Sequence, residues 1–312
     1  MSLPAARLHT ERLHADLLHY TLQREALLRK DEAAQAELRS RADARVLAMY
    51  GDALSLLGAS PYQPMAALSD SQREHAVFLG LYDGIPTFAV RLDEPDSAGF
   101  STSDFGDLRQ HAASLSSTDL LIACQAKALL HWHREHGFCA GCGAPTVMQE
   151  AGHSRHCERC DRNHFPRTDP AIIVAIRHGD KLLFGRQASW PAGRYGMIAG
   201  FVEPGESLEQ AVAREVMEET GLRITDVPQY AFSQPWPYPA SLMVAYFADS
   251  EADVLELKDR ELEHAQWLSR DELIAAIKKG EMKLPTRASV AYALVKVWFE
   301  QDGRSLTNEL GY

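Results

Sequence analysis

Between Gly200 and Leu222 the chain reads GFVEPGESLEQAVAREVMEETGL, and glutamates recur there at a spacing that gathers carboxylates. Glu206 follows Gly200 after five residues, Arg214-Glu215 after seven more, then Glu218-Glu219, with Gly221-Leu222 closing the stretch. Ser207 to Thr220 holds good helix formers, Glu206 and Glu209 favour the positive N-terminal end, and Gly221 is the residue type that follows a helix. On that helix Glu215, Glu218 and Glu219 are neighbours at i, i+3 and i+4. Three anions so placed repel one another unless a cation sits among them. Hard oxygen donors suit Mg²⁺ or Mn²⁺, ions that keep several waters and bridge to phosphates, so the stretch predicts a metal-assisted pyrophosphate site.

The stretch resembles the Nudix signature G-x5-E-x7-R-E-U-x-E-E-x-G-U, with every fixed position occupied. A solvated acidic helix is the commoner fate of a charge run, but about nine specified positions seldom coincide at average residue frequencies. A second constellation is Cys139-x-x-Cys142 and Cys157-x-x-Cys160, separated by fourteen residues, with Gly141 and Gly143 supplying tight turns. Such a spacing, slightly under the usual range, reads as a zinc ribbon. Four protein ligands close the site around Zn²⁺, which makes it structural, and binding there can supply about 10 kcal/mol of folding free energy. His153, His156 and His164 read as exposed polar residues with no obligatory role, and Cys124, in the apolar run Leu120-Leu121-Ile122-Ala123-Cys124, as a core residue.

The elements that must position these groups show in the periodicities. Glu11 to Arg41, with Leu13, Leu17, Leu18 and Leu22 near helical spacing, predicts a helix. Arg45 to Leu57 predicts two short strands, His75 to Leu92 a hairpin turning at Asp83-Gly84, Glu94 to Ser103 a loop, and Asp107 to His136 a helical stretch that delivers the chain to Cys139. Beyond the cysteines, Pro170 to Ile176, Lys181 to Arg186 and Gly196 to Phe201 read as strands leading into the glutamate helix. Thr225 to Phe232, Ser241 to Ala248 and Gln266 to Leu268 are further strands, Asp271 to Lys279 and Ser289 to Gln301 helices. The fold class expected is α/β, an α/β/α sandwich. No internal repeat is visible.

Ser233 to Ser241 reads SQPWPYPAS, and its three prolines lack N–H donors and fix φ. The segment therefore predicts a stiff loop, never a central strand, that presents Gln234, Trp236 and Tyr238. Rings and amides so fixed suit a flat heteroaromatic base, with stacking worth about 1–3 kcal/mol. A proline-aromatic corner that only packs is the plain alternative. The loop resembles SQPWPFPxS, with Tyr238 where Phe is usual. With the glutamate helix and the four-cysteine ribbon just before that domain, the chain is similar to the NADH pyrophosphatase subfamily of Nudix hydrolases, well from Leu108 to about Trp298 and loosely before that.

The resemblance implies a Nudix sandwich over residues 167–312, a preceding zinc ribbon over 137–166 and an α+β N-terminal domain over 1–136. It implies hydrolysis of NADH or NAD⁺ to nicotinamide mononucleotide and AMP, and removal of NAD caps from RNA 5′ ends. Catalytic Mg²⁺ or Mn²⁺ would fall on Glu215, Glu219, the backbone of Ala199 and Glu261, with Glu218 beside them and Glu263 a substitute for Glu261. Glu219 is the expected metal ligand or base, and Arg214 would orient the glutamates through a bidentate pair. Substrate contacts would fall on Gln234, Pro235, Trp236, Pro237, Tyr238, Pro239, Ala240 and Ser241, on Ile173, Phe201 and Ala291, on Phe165 in place of a usual Tyr, and on Arg109. A homodimer in which both chains shape the site is implied as well.

A net charge of −11 argues against a protein that grips nucleic acid mainly through its phosphates. No apolar run approaches a bilayer span, Met1 to Lys30 lacks a signal peptide's apolar centre, and four of the five cysteines stand in C-x-x-C pairs, so the expected setting is the cytoplasm and no membrane. Two other readings stay open: a broader Nudix hydrolase of ADP-ribose, FAD or similar nucleoside diphosphates, and a non-catalytic recognition module.

Overall fold

The computed structural model describes residues 22–56, 60–95, 99–257 and 261–311. They form two compact units, one of the described residues up to Thr168 with Trp236–Ala240, the other of Asp169–Pro235 and the described residues from Ser241 onward.

The first unit runs β1 (Leu22–Gln23), α1 (Glu32–Ser40), β2 (Arg45–Tyr50), β3 (Ala53–Ser55), β4 (Tyr62–Pro64), α2 (Asp70–Glu74), β5 (Val77–Tyr82), β6 (Ile85–Leu92), β7 (Phe105–Gly106), α3 (Leu108–His111) and α4 (Ser117–Glu135). Its sheet has the order β1-β5-β6-β2-β3-β7 with β4 on β2, and β2 lies parallel to β6. Leu47 and Met49 of β2 face a core shared with Ile122, Ala126 and Leu130 of α4, while Val46 and Ala48 face a second core with Leu38 of α1 and Phe88. Both faces are covered, which is why β2 reads as a continuous apolar run. The hairpin turns where expected: Asp83 and Gly84 both take positive φ, 54° and 76°, as a tight two-residue β-turn requires.

Two expectations are corrected here. Of the helix predicted over Glu11 to Arg41, Leu13, Leu17 and Leu18 lie outside the described residues, Leu22 is a buried strand residue paired with Tyr82, and among the described residues of that range the α-helix covers Glu32–Ser40, with a single 3-10 turn at Leu28–Lys30 before it. Asp31 opens that helix afresh by accepting from the Ala34 N–H. The helical stretch from Asp107 is likewise broken, because Ser116 accepts from the Asp119 N–H and starts α4 as a separate element.

Three short strands follow, β8 (Val147–Gln149), β9 (Ser154–Cys157) and β10 (Arg162–His164), in the order β10-β9-β8. The second unit then runs β11 (Asp169–His178), β12 (Lys181–Arg186), β13 (Ile198–Phe201), α5 (Leu208–Thr220), β14 (Gln229–Trp236), β15 (Ser241–Asp249), β16 (His264–Leu268), α6 (Arg270–Lys278), α7 (Val290–Glu300) and α8 (Leu306–Leu310). Its sheet has the order β14-β15-β11-β12-β16 with β13 on β11, and β11 is parallel to β15. Ile172, Val174 and Ile176 of β11 pack under α5 with Val212 and Val216; Ile173 and Ala175 pack on the other side with Leu294 and Trp298 of α7. This is the expected α/β/α sandwich.

The proline-rich segment is less a loop than predicted. Ser233–Trp236 continue β14, and only the residues before Ser241 form the turn. β14 is the edge strand of its sheet, so one side of it needs no ladder partner and proline is tolerated there. A repeat the sequence conceals also emerges: β2, β3, β4, a helix, β5, β6 and β7 occupy the same sheet positions as β11, β12, β13, a helix, β14, β15 and β16.

Candidate active site and metal centre

α5 begins at a capping box, with Ser207 and Gln210 exchanging side-chain and backbone bonds, and ends at Gly221 in the left-handed conformation. The cation needed among its glutamates is partly supplied from within. Arg214 reaches both oxygens of Glu206 through Nε and Nη2 at 2.7 and 3.0 Å, Glu215 Oε1 and Glu218 Oε2 through Nη1 at 2.8 and 3.0 Å, and the Phe201 carbonyl through Nη2 at 2.9 Å. The hydrogen bonds to Glu206, above all, push the Arg214 pKa up, and Glu206 is correspondingly held below its ordinary value.

Gly200 has no room for a side chain: a Cβ there would stand 1.9 Å from Glu215 Oε1. That cradle lets the Glu215 carboxylate lie against the β13 backbone beside Ala199. Burial raises the Glu215 pKa, Arg214 opposes the rise, and the charges of Glu218 and Glu261 add to it. Glu261 therefore acts on the helix from a distant part of the sequence, whereas Glu263 is ion-paired with Arg186. Glu219 is buried at 3% exposure and Glu218 points outward. One guanidinium shared by Glu206, Glu215 and Glu218 leaves an excess of negative charge, and the donors are hard carboxylate oxygens. The set fits a hard divalent cation.

On β11 and β13, Ile173 pairs with Ala199 and Ala171 with Phe201, so these residues share the sheet face covered by α7 and its half-buried Ala291. Ile173 is buried and Phe201 is 55% exposed. The Gln234 amide is spent on backbone: Nε2 donates to the Ala288 carbonyl at 2.6 Å, and Oε1 accepts from the Val290 N–H at 2.7 Å. Gln234 thus holds the start of α7, which sets Ala291, and these two bonds are not available to a base edge.

Within the first unit, Trp236 meets Tyr238 edge to face with centroids 5.0 Å apart, and the Arg109 guanidinium lies 3.8 Å from the Tyr238 centroid and 5.9 Å from that of Trp236. Pro237 is buried, Ala240 half-buried and Pro239 exposed; Ser241 is a buried residue at the start of β15. Phe165, 64% exposed, is also in this unit.

The four cysteine sulfurs lie within 4.8 Å of one another, with Cys139–Cys160 and Cys142–Cys157 each 3.5 Å apart. Metal–sulfur bonds of about 2.3 Å at tetrahedral angles require separations of this size, so the quartet fits Zn²⁺. The two knuckles are built alike: the N–H of Gly143 donates to the Cys139 carbonyl, that of Asp161 to the Cys157 carbonyl, both at 2.8 Å, with φ of 73° and 59°. Burial works against ionising Cys139, yet the Gly141 and Cys142 N–H groups bring its pKa down to about 6, favourable for a thiolate ligand. Among the described residues only these cysteines gather so tightly.

Three family models match the chain: an NADH pyrophosphatase-like rudimentary NUDIX domain over residues 20–132, an NADH pyrophosphatase zinc ribbon domain over 134–165 and a NUDIX domain over 166–288. The NAD-capped RNA hydrolase NudC of Mycobacterium bovis (strain BCG / Pasteur 1173P2) is 37% identical over 270 residues, 83% of this chain and 84% of that protein. The chain belongs to the Nudix family, in its NADH pyrophosphatase branch. The NudC of Stutzerimonas stutzeri (strain A1501) is 36% identical over 70% of this chain and 76% of its own. Human NAD-capped RNA hydrolase NUDT12 is 36% identical over 57% of this chain and 41% of its own.

Two residues of this Nudix chain escaped the sequence reading of the site. Glu206 is the bidentate partner of Arg214, a partner the sequence reading left unnamed, and its fixed place in the signature was the available signal. Lys127, a charge inside a buried stretch of α4, lies beside Tyr238. One ribbon histidine also differs from expectation: His153 is half-buried and bonds the Phe78 carbonyl at 2.7 Å, whereas the bond of His156 to Asn163 is exposed.

Proposed function

We propose that this Nudix hydrolase splits the pyrophosphate bond of NADH and NAD⁺ into nicotinamide mononucleotide and AMP, and that it removes NAD caps from RNA 5′ ends. The observation that carries the reading is the glutamate helix with its Arg214 hub and its Gly200 cradle, an arrangement of carboxylates that suits metal-assisted pyrophosphate cleavage. The names of the relatives and the aromatic pair Trp236–Tyr238 support NAD-type substrates.

Bound at Glu215, Glu219, Glu261 and the Ala199 carbonyl, Mg²⁺ or Mn²⁺ would neutralise the pyrophosphate and make a water easier to deprotonate. Glu219 takes the proton of the attacking water, its oxygen forms the new bond to phosphorus, and the bridging oxygen leaves with the other phosphate. Arg214 keeps Glu215 and Glu218 turned toward the reaction through Glu206. In the first unit Trp236, Tyr238 and Phe165 offer rings to a base, with Pro237, Pro239 and Ala240 around them and Arg109 positioning Tyr238; in the second, Phe201 offers a ring, Ile173, Pro235, Ser241 and Ala291 shape its surroundings, and Gln234 positions the start of α7. The four cysteines hold structural Zn²⁺.

The working division is 1–136, 137–166 and 167–312, in a cytoplasmic homodimer; the reduced, metal-binding use of cysteine supports the compartment. Chromatography of the products from NADH, NAD⁺, ADP-ribose and NAD-capped RNA tests the reading. Mononucleotide plus AMP, or a 5′-monophosphate RNA end, is expected. Cleavage of ADP-ribose alone would transfer the assignment to the broader Nudix class, and no cleavage at all to a recognition module.

A further inference from the structure

Tyr238 is flanked by two cations, and only one of them is accounted for by the resemblance. Besides Arg109, the Lys127 ammonium lies 5.6 Å from the ring centroid. Lys127 is in the middle of α4 at 7% exposure, between buried Ala126 and Leu129. Desolvating an ammonium there is costly, so its presence calls for specific partners. It donates to the Asp52 carbonyl at 2.6 Å, and the Asp52 and Asp107 carboxylates act on it as counter-charges, with Arg109 and Arg134 as like charges. Of the groups around it, the Tyr238 ring is the one that belongs to the proline-rich segment.

Trp236 rests edge-on against that ring at an interplanar angle of 66°. We propose that Lys127 is a positioning residue for the base-binding segment: with Arg109 it pins the Tyr238 ring, and through that ring it fixes Trp236 for the heteroaromatic base of a dinucleotide. The inference rests on the NAD(H) reading above. Because Lys127 acts through Tyr238 and not on the reacting phosphorus, its loss weakens substrate and transition state alike and shows in KM.

Lys127→Gln keeps a donor for the Asp52 carbonyl and removes the charge; Lys127→Arg keeps the charge. With NADH and Mg²⁺ or Mn²⁺, Lys127→Gln is expected to raise KM about fivefold with kcat within about twofold, and Lys127→Arg to stay near wild type. In a Tyr238→Leu background the Gln substitution should add nothing, since the ring it acted on is gone. Equal losses in the Arg and Gln variants, or a full further loss on top of Tyr238→Leu, overturn the proposal. Pinning is also readable without turnover. Acrylamide quenching of the Trp236 emission, taken as the difference from the matching Trp236→Phe protein, should rise in Lys127→Gln and not in Lys127→Arg; unchanged quenching overturns it. If the wild type leaves NADH intact, the NAD(H) reading falls, and the quenching difference alone decides whether Lys127 holds the segment.

Discussion

In the first unit the connection between β4 and β5 contains the five-residue helix α2; in the second the connection between β13 and β14 carries the thirteen-residue α5. Both helices open on the same device, a capping box made by Ser69 with Gln72 and by Ser207 with Gln210. The strand orders around them match as well. The difference lies in what the extra turns of α5 deliver, namely Arg214, Glu215, Glu218 and Glu219 on one side, and in the strand beneath. β13 offers Gly200 for the Glu215 carboxylate, while β4, Tyr62-Gln63-Pro64, holds no glycine. One topology thus stands with and without its chemistry, and a helix length plus one missing side chain separate the two states.

Substitutions should divide accordingly. Glu219→Gln is expected to lower kcat about a thousandfold while leaving the melting temperature near that of the wild type; wild-type turnover would move the active site away from α5. Gly200→Ala forces the Glu215 carboxylate off its place, and a loss on the order of a hundredfold in kcat/KM is expected by steady-state assay. The first unit should answer in stability, through pH. Burial lowers the His133 and His153 pKa values from 6.5 to about 4, their bonds to the Gly152 and Phe78 carbonyls opposing only in part. The unfolded chain then binds protons that the folded one refuses, so stability is full above pH 6.5 and declines as pH falls toward 4, by up to roughly 3 kcal/mol per histidine. Urea midpoints measured across that window should fall with pH, and less steeply in His153→Asn. Glu74→Gln in α2 should change kcat by less than about twofold, because nothing there handles substrate; a large effect would mean that the shorter copy has kept a part in the reaction.

Most legible were the motifs of fixed spacing, the signature glutamates in the second unit and the paired cysteines in the first, and the apolar run that forms the strand Lys181–Arg186; each sits where its pattern puts it. What stayed hidden depended on tertiary context. Pro235 could join a strand only because β14 is an edge, and the Gln234 amide is engaged by Ala288 and Val290, more than fifty positions downstream. That Arg214 grips Glu206 bidentately while also bonding Glu215 and Glu218 is a matter of side-chain reach that helical periodicity does not encode. The repeat of topology was invisible for a different reason. Mixed sheets with both faces covered ask only for apolar runs, and many unlike runs satisfy them.

The five residues Trp236–Ala240 lie between Pro235 and Ser241 in the chain, yet they pack as part of the other compact unit. A copy without chemistry would ordinarily be free to disappear from a gene by deletion. Here its removal would take away Arg109 and Lys127, the side chains that lie over Tyr238, and leave that segment of the surviving copy without them. The unit that lacks the glutamate helix thus still holds the groups around Tyr238, and attempts to trim this enzyme to a minimal catalytic fragment should begin by redesigning those five residues.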